Sequence, residues 1–122
     1  MKEATICKGK SGEKIAAKYL KKKGYHIVHK NFKTNIGEID LVVTDDKYLV
    51  FVEVKARSNT NFSYAMESVS YHKRTKINQV AAQYIKKFML FGVNIRFDVV
   101  EVYFETGEVN HIKNAFDSYL RY

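Results

Sequence analysis

The sequence has one cysteine, no proline and no apolar run long enough to cross a membrane in its 122 residues. The lone Cys7 cannot form a disulfide within the chain, and no CxxC or Cys/His pattern indicates a zinc site. A membrane helix needs about 18 consecutive apolar residues, and the N-terminus lacks the apolar segment of a signal peptide. We therefore expect a cytoplasmic protein in a reducing compartment, with no membrane association.

The sequence also lacks internal repeats, low-complexity segments and a glycine-rich phosphate loop. The missing loop argues against nucleotide hydrolysis of the P-loop type. A chain of this length buries roughly two-thirds of its unfolded surface, so it can fold without disulfides or a structural metal. We predict a single domain over residues 1–122, with a frayed start over residues 1–11.

Acidic residues are scarce relative to basic ones. There are 13 Asp and Glu against 21 Lys and Arg, which gives a net charge of +8. A basic balance of this size is compatible with phosphate polymers as partners, although many basic proteins bind none. The four histidines show no metal-ligand spacing and adjoin no nucleophile motif.

Hydrophobic periodicity predicts two helices and at least four strands. One helix is expected over residues 12–23, and the apolar face from Ile77 to Phe88 predicts the second. Strands are expected over residues 25–32, 48–55 and 93–104, and along the alternating Ile39, Leu41 and Val43. A short edge strand near residues 109–112 and one or two helical turns over residues 114–122 complete the prediction. The order α-β-β-β-α-β implies a mixed sheet with a helix on each face.

The second and third strands form a predicted hairpin that carries charges where a core strand should be apolar. Glu38 and Asp40 lie on the first strand, and Glu53 and Lys55 lie on the second. With residues 45–48 as the loop, Asp40 lies across from Glu53, about 5 Å away at Cβ. With a two-residue turn, Glu38 faces Glu53 instead. Either register gathers the carboxylates near one end of the hairpin.

Two carboxylates at that separation repel each other by about 3 kcal/mol at an effective dielectric constant near 20. A bound hard cation, or protonation of one acid, relieves the repulsion. Mg²⁺ or Mn²⁺ suits a site with few carboxylates and several waters, and those waters with Lys55 nearby suit attack on a phosphodiester. The alternative is a solvated salt-bridge ladder on an open face of the sheet.

The segments "EID" and "VEVK" together resemble the D…(D/E)-x-K signature of the PD-(D/E)XK nucleases, the superfamily of restriction endonucleases and Holliday-junction resolvases. The whole chain more closely resembles the YraN-like family of uncharacterised bacterial proteins, through "GEKIAAKYLKKKGY", "GEIDLV", "LVFVEVKARS" and "HKRTKINQVAAQYI". The resemblance implies a single nuclease-like domain with a restriction-endonuclease-like α-β-β-β-α-β core, in which helices flank a mixed central sheet.

The resemblance also implies roles for individual residues. Asp40 and Glu53 would bind Mg²⁺ or Mn²⁺ together with the backbone carbonyl of Val54. Lys55 would orient or polarise the attacking water and stabilise charge that develops on the phosphate. Glu13 matches the helical acid of resolvase-like members, although the helix dipole favours an acid in a first turn in any case.

Further candidates lie beside this motif. Glu38 belongs to the family motif and is an accessory candidate, either as a ligand or as a brace at the strand entrance. Basic residues after the motif form a candidate DNA-binding set near the start of the second helix, where the helix N-terminus adds partial positive charge. That set consists of Arg57, Lys73, Arg74 and Lys76. For any one of them, a solvated surface position is the alternative.

We therefore expect a Mg²⁺- or Mn²⁺-dependent endonuclease that acts on DNA rather than RNA. The resolvase resemblance suggests branched DNA as the substrate and a homodimer as the acting form. The alternative is a non-catalytic nucleic-acid-binding module that a partner recruits. Asp98, a polar residue within the fourth strand, is expected to pair with Arg96 or another base.

Overall fold

The computed structural model of the protein describes residues 2–57 and 70–118, with side chains described from residue 11 onward. Its elements are α1 (Lys2–Lys22), β1 (His26–Lys33), β2 (Glu38–Thr44), β3 (Leu49–Arg57), α2 (Tyr71–Lys87), β4 (Ile95–Tyr103) and β5 (Val109–Phe116). The predicted α-β-β-β-α-β order is confirmed, and so is an additional strand at the sheet edge.

Two boundaries differ from the sequence prediction. Helix α1 begins at Lys2 and so includes the segment expected to be frayed, where few apolar residues mark a helical face. Strand β5 continues to Phe116, so the prediction of helical turns from Asn114 onward is wrong there. Phe116 packs into the core beneath α2, and that burial favours the extended chain. Residues 119–122 of the same prediction lie outside the described residues.

The five strands form one mixed sheet in the order β1-β2-β3-β4-β5. The first three strands are antiparallel neighbours. Strands β3 and β4 are parallel, because the chain crosses over through α2 between them, and β5 returns antiparallel to β4. Strand β3 is therefore the central strand of the sheet, and α2 lies in the connection that follows it.

The two helices cover opposite faces of this sheet. Val50 and Val52 of β3 pack in the apolar cluster that contains the buried residues of α1. Phe51, between them in sequence, packs with Phe97 in the cluster that contains the buried face of α2. Successive residues of a strand point to opposite faces, so the nearly continuous apolar run of β3 serves both clusters.

Helix α2 is capped at both ends. The Ser70 hydroxyl accepts a hydrogen bond from the backbone N–H of Lys73 at 3.2 Å, which satisfies one of the free donors of the first turn. At the other end, Met89 has a φ of 54°, and the N–H of Leu90 donates to the carbonyl of Ile85 at 2.9 Å. This left-handed turn ends the helix.

Strand β2 does not alternate regularly. Ile39 and Val42 both pack in the cluster beneath α2, whereas Leu41 and Val43 pack in the cluster beneath α1. Regular alternation would place Ile39 with Leu41 and Val43, so that part of the sequence prediction is wrong. The alternation slips at Asp40, the residue between Ile39 and Leu41.

The neighbouring strand β1 is irregular at the same level. Asn31 has a φ of 53°, in the left-handed region that Asn tolerates better than most residues. It lies between Lys30 and Phe32, which pair with Leu41 and Ile39. The irregularity therefore crosses both strands at the position of Asp40, where the hairpin carries its charges.

Candidate functional site

The register of the β2–β3 hairpin determines which charges meet. Paired residues run to Leu41 opposite Val52, with residues 45–48 as the loop. Continued by one residue, this register sets Asp40 across from Glu53. The sequence was compatible with two registers, and the structure has the one with the four-residue loop.

The Asp40 carboxylate accepts a hydrogen bond from the neighbouring strand β3. Its Oδ2 atom accepts a hydrogen bond from the backbone N–H of Val54 at 2.8 Å, just beyond the last β2–β3 pair. The side chain thus replaces a strand partner and is fixed beside Glu53. The carbonyl of Val54, which the resemblance implies as a metal ligand, stays a prediction.

The environment of Asp40 disfavours its charged form. Burial raises its pKa most, and the nearby charge of Glu53 raises it further, so the pKa reaches about 7. The hydrogen bond from Val54 opposes this rise, while Glu13 and Glu38 add to it. A carboxyl group that titrates near neutral pH in a cleft is typical of functional sites.

Glu53 has two ammonium groups beside it. The Nζ atoms of Lys73 and Lys55 lie 2.8 Å and 3.5 Å from its Oε1 atom. Burial and then the adjacent Lys73 lower the pKa of Lys55, although Glu53 partly opposes them. Burial alone would also lower the pKa of Lys73, but interactions with Glu53, Lys55 and Asp40 outweigh burial and raise it.

A cleft lies between the hairpin and the start of α2, beside Glu53 and Lys73. Asp40, Glu53, Lys73 and Lys76 line it, and its volume is about 230 Å³. A water molecule occupies about 30 Å³ in the liquid, so the cleft has room for several waters or for a hydrated cation. Glu38 also lines the cleft, but its carboxylate is exposed and lies 4.0 Å from the ammonium of Lys33.

Glu13 lies in a different depression, lined also by Lys14, Lys30 and Asn31. Helix α1 lies close to β3 here. A Cβ atom at Gly12 would lie only 3.2 Å from the Cβ atom of Ala56 on β3. Glu13 nonetheless acts on Asp40 through its charge, which contributes to the raised pKa. Its predicted role beside the metal ligands stays a prediction.

The four basic residues predicted to bind DNA have different surroundings. Lys73 is paired with Glu53, and the Nε atom of Arg57 lies 3.5 Å from Oε2 of Glu101. Arg74 is half-buried, with its guanidinium 6.0 Å from the ring centre of Tyr71. Lys76 is exposed, whereas the other three residues are half-buried. The basic surface at this end of α2 is therefore smaller than the sequence suggests.

Glu101 is a buried acid that the sequence prediction missed. It pairs with Lys55 across the parallel β3–β4 ladder, its side chain is fully buried, and it accepts a hydrogen bond from Asn110 Nδ2 at 2.8 Å. With Arg57 as its counter-ion, it supports the end of β3 just beyond the site. An acid within the apolar run "DVVEVYF" was the available signal.

A second buried acid, Asp98, lies elsewhere in the sheet. It accepts hydrogen bonds from Arg96 at 2.8 Å and 2.9 Å and from the N–H of Asn114 at 3.0 Å, and it lies 2.7 Å from Nε2 of His111. Burial alone would raise its pKa, but these partners hold the pKa below the usual value. The predicted pairing of Asp98 with Arg96 is confirmed.

No group of three His, Cys, Asp or Glu side chains within the described residues is arranged to hold a metal ion. A cation in the cleft would therefore depend on the two carboxylates of Asp40 and Glu53. Mg²⁺ is usually bound through one or two carboxylates and keeps several of its waters. No helix among the described elements is long and apolar enough to span a membrane.

These features define a mixed α/β protein whose central hairpin brings two carboxylates and a lysine together at one end. Residues 12–102 match the family described as uncharacterised protein family UPF0102. The chain belongs to this family, which confirms the resemblance to the YraN-like proteins.

Relatives in the family match over most of their length. A UPF0102 protein of Clostridioides difficile (strain 630) is 51% identical over 109 residues, which cover 89% of this chain and 96% of the relative. One from Caldanaerobacter subterraneus subsp. tengcongensis is 49% identical over 113 residues, with 88% and 93% covered. One from Legionella pneumophila subsp. pneumophila (strain Philadelphia 1) is 40% identical over 112 residues, with 91% and 95% covered.

Proposed function

We propose that the protein is a divalent-cation-dependent endonuclease that acts on DNA. One observation carries this proposal: Asp40 faces Glu53 at the end of the hairpin, and the Asp40 pKa is raised to about 7. The arrangement costs folding free energy, because two acids are brought together in a half-buried cleft. A cation bound between the carboxylates would offset that cost.

The residues fit a hydrated Mg²⁺ or Mn²⁺. Lys73 already holds an ammonium 2.8 Å from the Glu53 carboxylate, so this position accepts a cation. Asp40 and Glu53 would bind the metal, with the Val54 carbonyl as the third ligand that the resemblance implies. When bound, the metal would supply a water of lowered pKa and positive charge against the phosphate.

Lys55 is the side chain that would act on the reacting groups. Its ammonium is half-buried, lies 3.5 Å from Glu53 and has a lowered pKa. A donor fixed in this way can orient the attacking water and stabilise negative charge that develops on the phosphate.

DNA is the proposed substrate, with branched DNA first among the forms to be tested. The net charge of +8 supports a phosphate polymer, and exposed Lys76 at the cleft supports contact beside the two acids. A homodimer, which would cut two strands symmetrically, is part of the same proposal and rests on the resolvase resemblance.

The test compares the wild type with Lys55→Ala on branched, flapped, single-stranded and linear duplex DNA, with Mg²⁺ or Mn²⁺ present. Loss of a contact made in the transition state should lower cleavage by a factor of about 10² to 10³. DNA affinity should change far less, because one cation is a small part of the field. Lys47→Ala in the exposed hairpin loop is the matched control and should cleave as the wild type does.

Two results would contradict the proposal. Equal cleavage by the wild type and Lys55→Ala would indicate a contaminating nuclease or a different site. Binding of DNA by the wild type without cleavage of any substrate would favour the non-catalytic module that a partner recruits.

A further inference from the structure

We propose that Lys73 is a built-in counter-ion of the carboxylate pair, which a divalent cation must displace from Glu53 and which then becomes available to a substrate phosphate. The inference rests on the proposed function, because it assumes that Asp40 and Glu53 bind the cation. It assigns Lys73 a positioning role inside the site, whereas the sequence suggested only a surface contact with DNA.

The position of Lys73 in its helix is unfavourable without Glu53. It lies in the first turn of α2, where its N–H is bound by the capping Ser70 and where no acidic residue is present. The N-terminal end of a helix carries partial positive charge, so a lysine there is disfavoured. The partner that compensates is Glu53, 2.8 Å from the ammonium.

The two lysines beside Glu53 are not equivalent. Lys55 lies on the same strand as Glu53, and its ammonium is the more distant of the two, at 3.5 Å. Lys73 reaches the same carboxylate oxygen from α2 and lines the same cleft as Asp40. The ammonium of Lys73 therefore lies within the field of both acids, as a bound metal would.

Charge balance shows what a metal would change. Asp40 and Glu53, when ionised, carry two negative charges, and Lys55 and Lys73 carry two positive charges, so the cluster is neutral. A divalent cation raises the sum to +2 while all four groups keep their charges. That excess repels the nearest mobile ammonium and attracts a phosphate anion.

Of the two lysines beside Glu53, Lys73 is the one that can move away from the added positive charge. Its side chain is 39% exposed, compared with 20% for Lys55, so it can extend to the mouth of the cleft beside Lys76. Displacement would couple the two ligands: the cation releases Lys73, and the released Lys73 binds a phosphate. Metal and DNA should therefore strengthen each other's binding, as reciprocal linkage requires.

The experiment titrates Mn²⁺ into metal-free protein by calorimetry, without DNA. Lys73→Met removes the competing ammonium and keeps an apolar stem of similar length, so it should bind Mn²⁺ about tenfold more tightly than the wild type. Lys73→Arg keeps the ion pair and should return the affinity close to the wild-type value. Lys76→Met is the control for loss of one positive charge at the same cleft, and its gain should be clearly smaller.

A second measurement follows DNA affinity with and without Mn²⁺. The wild type should gain affinity when Mn²⁺ is added, and Lys73→Met should lose most of that gain although it binds the metal more tightly. Thermal unfolding without metal shows whether each variant is folded, so a binding change can be assigned to the site.

The outcomes separate the two proposals. If the wild type binds Mn²⁺ and Lys73→Met binds it no more tightly than Lys76→Met, the counter-ion role is wrong and the metal site stands. Weaker binding by folded Lys73→Met would mean that Lys73 holds Glu53 in place, which also overturns the inference. If no folded variant binds Mn²⁺, both the metal-dependent function and this inference fail.

Discussion

Two aspartates of one sheet, the half-buried Asp40 and the fully buried Asp98, have opposite surroundings. Asp98 is bound by Arg96, His111 and a backbone N–H, and its pKa is lowered. Asp40 has the Val54 N–H and faces another carboxylate, and its pKa is raised to about 7. Burial alone therefore does not decide the state of a carboxyl group. The hydrogen-bond donors and the charges around it contribute as well.

The difference has a structural cause. Arg96 and Asp98 are two residues apart on β4, so regular alternation places both side chains on one face, where they form an ion pair at 2.8 Å. Asp40 lies where the alternation of β2 slips and where the pairing with β3 ends. The first arrangement stabilises the fold, and the second holds a carboxyl group in an unfavourable state.

The largest effect is expected from breaking the Asp98 network. Asp98→Asn leaves the guanidinium of Arg96 half-buried without its counter-ion, which typically costs about 3–5 kcal/mol of unfolding free energy. Urea denaturation at pH 7 measures this loss. A loss below about 1 kcal/mol would mean that Asp98 is not the stabilising member of the comparison.

Asp40→Asn should have the opposite sign. The folded-state pKa of about 7 lies above the usual aspartate value of 3.8, so the native protein holds a proton that the unfolded chain releases. The stability of the wild type therefore falls as pH rises from about 4 to 7, and Asp40→Asn removes that fall. Without metal, the variant should be more stable than the wild type by about 2–4 kcal/mol at pH 8, with the difference vanishing near pH 4.

Urea denaturation in EDTA at several pH values tests this expectation. Asp46→Asn, in the exposed hairpin loop, is the matched control and should follow the wild type. An Asp40→Asn variant that is less stable than the wild type at pH 8 would show that Asp40 is a structural acid like Asp98.

A divalent cation should distinguish the two aspartates, because it should stabilise the protein through Asp40 and not through Asp98. Mn²⁺ at tenfold its Kd should add about 1.4 kcal/mol to the unfolding free energy, or a few degrees in Tm. Asp40→Ala and Glu53→Ala should each abolish the shift, while Asp46→Asn keeps it. A wild-type Tm that ignores millimolar Mn²⁺ would remove the two-carboxylate site.

The smallest effects should come from the more distant acids. Glu13 and Glu38 both contribute to the raised pKa of Asp40, Glu13 more than Glu38. Glu13→Gln and Glu38→Gln should each lower that pKa, in the same order of size. Carboxyl ¹³C titration by NMR measures it, with exposed Glu105→Gln as the control. If Glu13→Gln leaves the pKa of Asp40 unchanged, Glu13 on α1 does not contribute to the electrostatics of the site.

Much of the fold could be predicted because its strands and helices have strong periodic patterns. The hairpin register could not, because its charged turn permits either loop length. The slip at Asp40 was hidden for a different reason: Ile39, Leu41 and Val43 are all buried, although on two different faces. When both faces of a strand are covered, hydrophobicity does not report which face a residue occupies.

The residues of the site also fall into those that the sequence predicted and those that it did not. Asp40, Glu53 and Lys55 lie close together in one hairpin, and their spacing alone indicated that they would meet. Lys73 and Glu101 reach the end of β3 from the crossover helix and from β4, and no local spacing encodes such pairings. Sequence reasoning therefore identified the acids and Lys55, proposed Lys73 only as a contact to DNA, and missed Glu101.

The parallel pairing of β3 with β4 also has a consequence for the order of folding. The β2–β3 hairpin closes over residues 45–48, whereas β4 can join β3 only after the chain has looped through α2. Short loops close faster than long crossovers, so we expect the hairpin to form first. Asp40 and Glu53 then come together before the crossover delivers Lys73. Ionised acids should slow this early step, and the refolding rate should therefore rise as the solution is made mildly acidic.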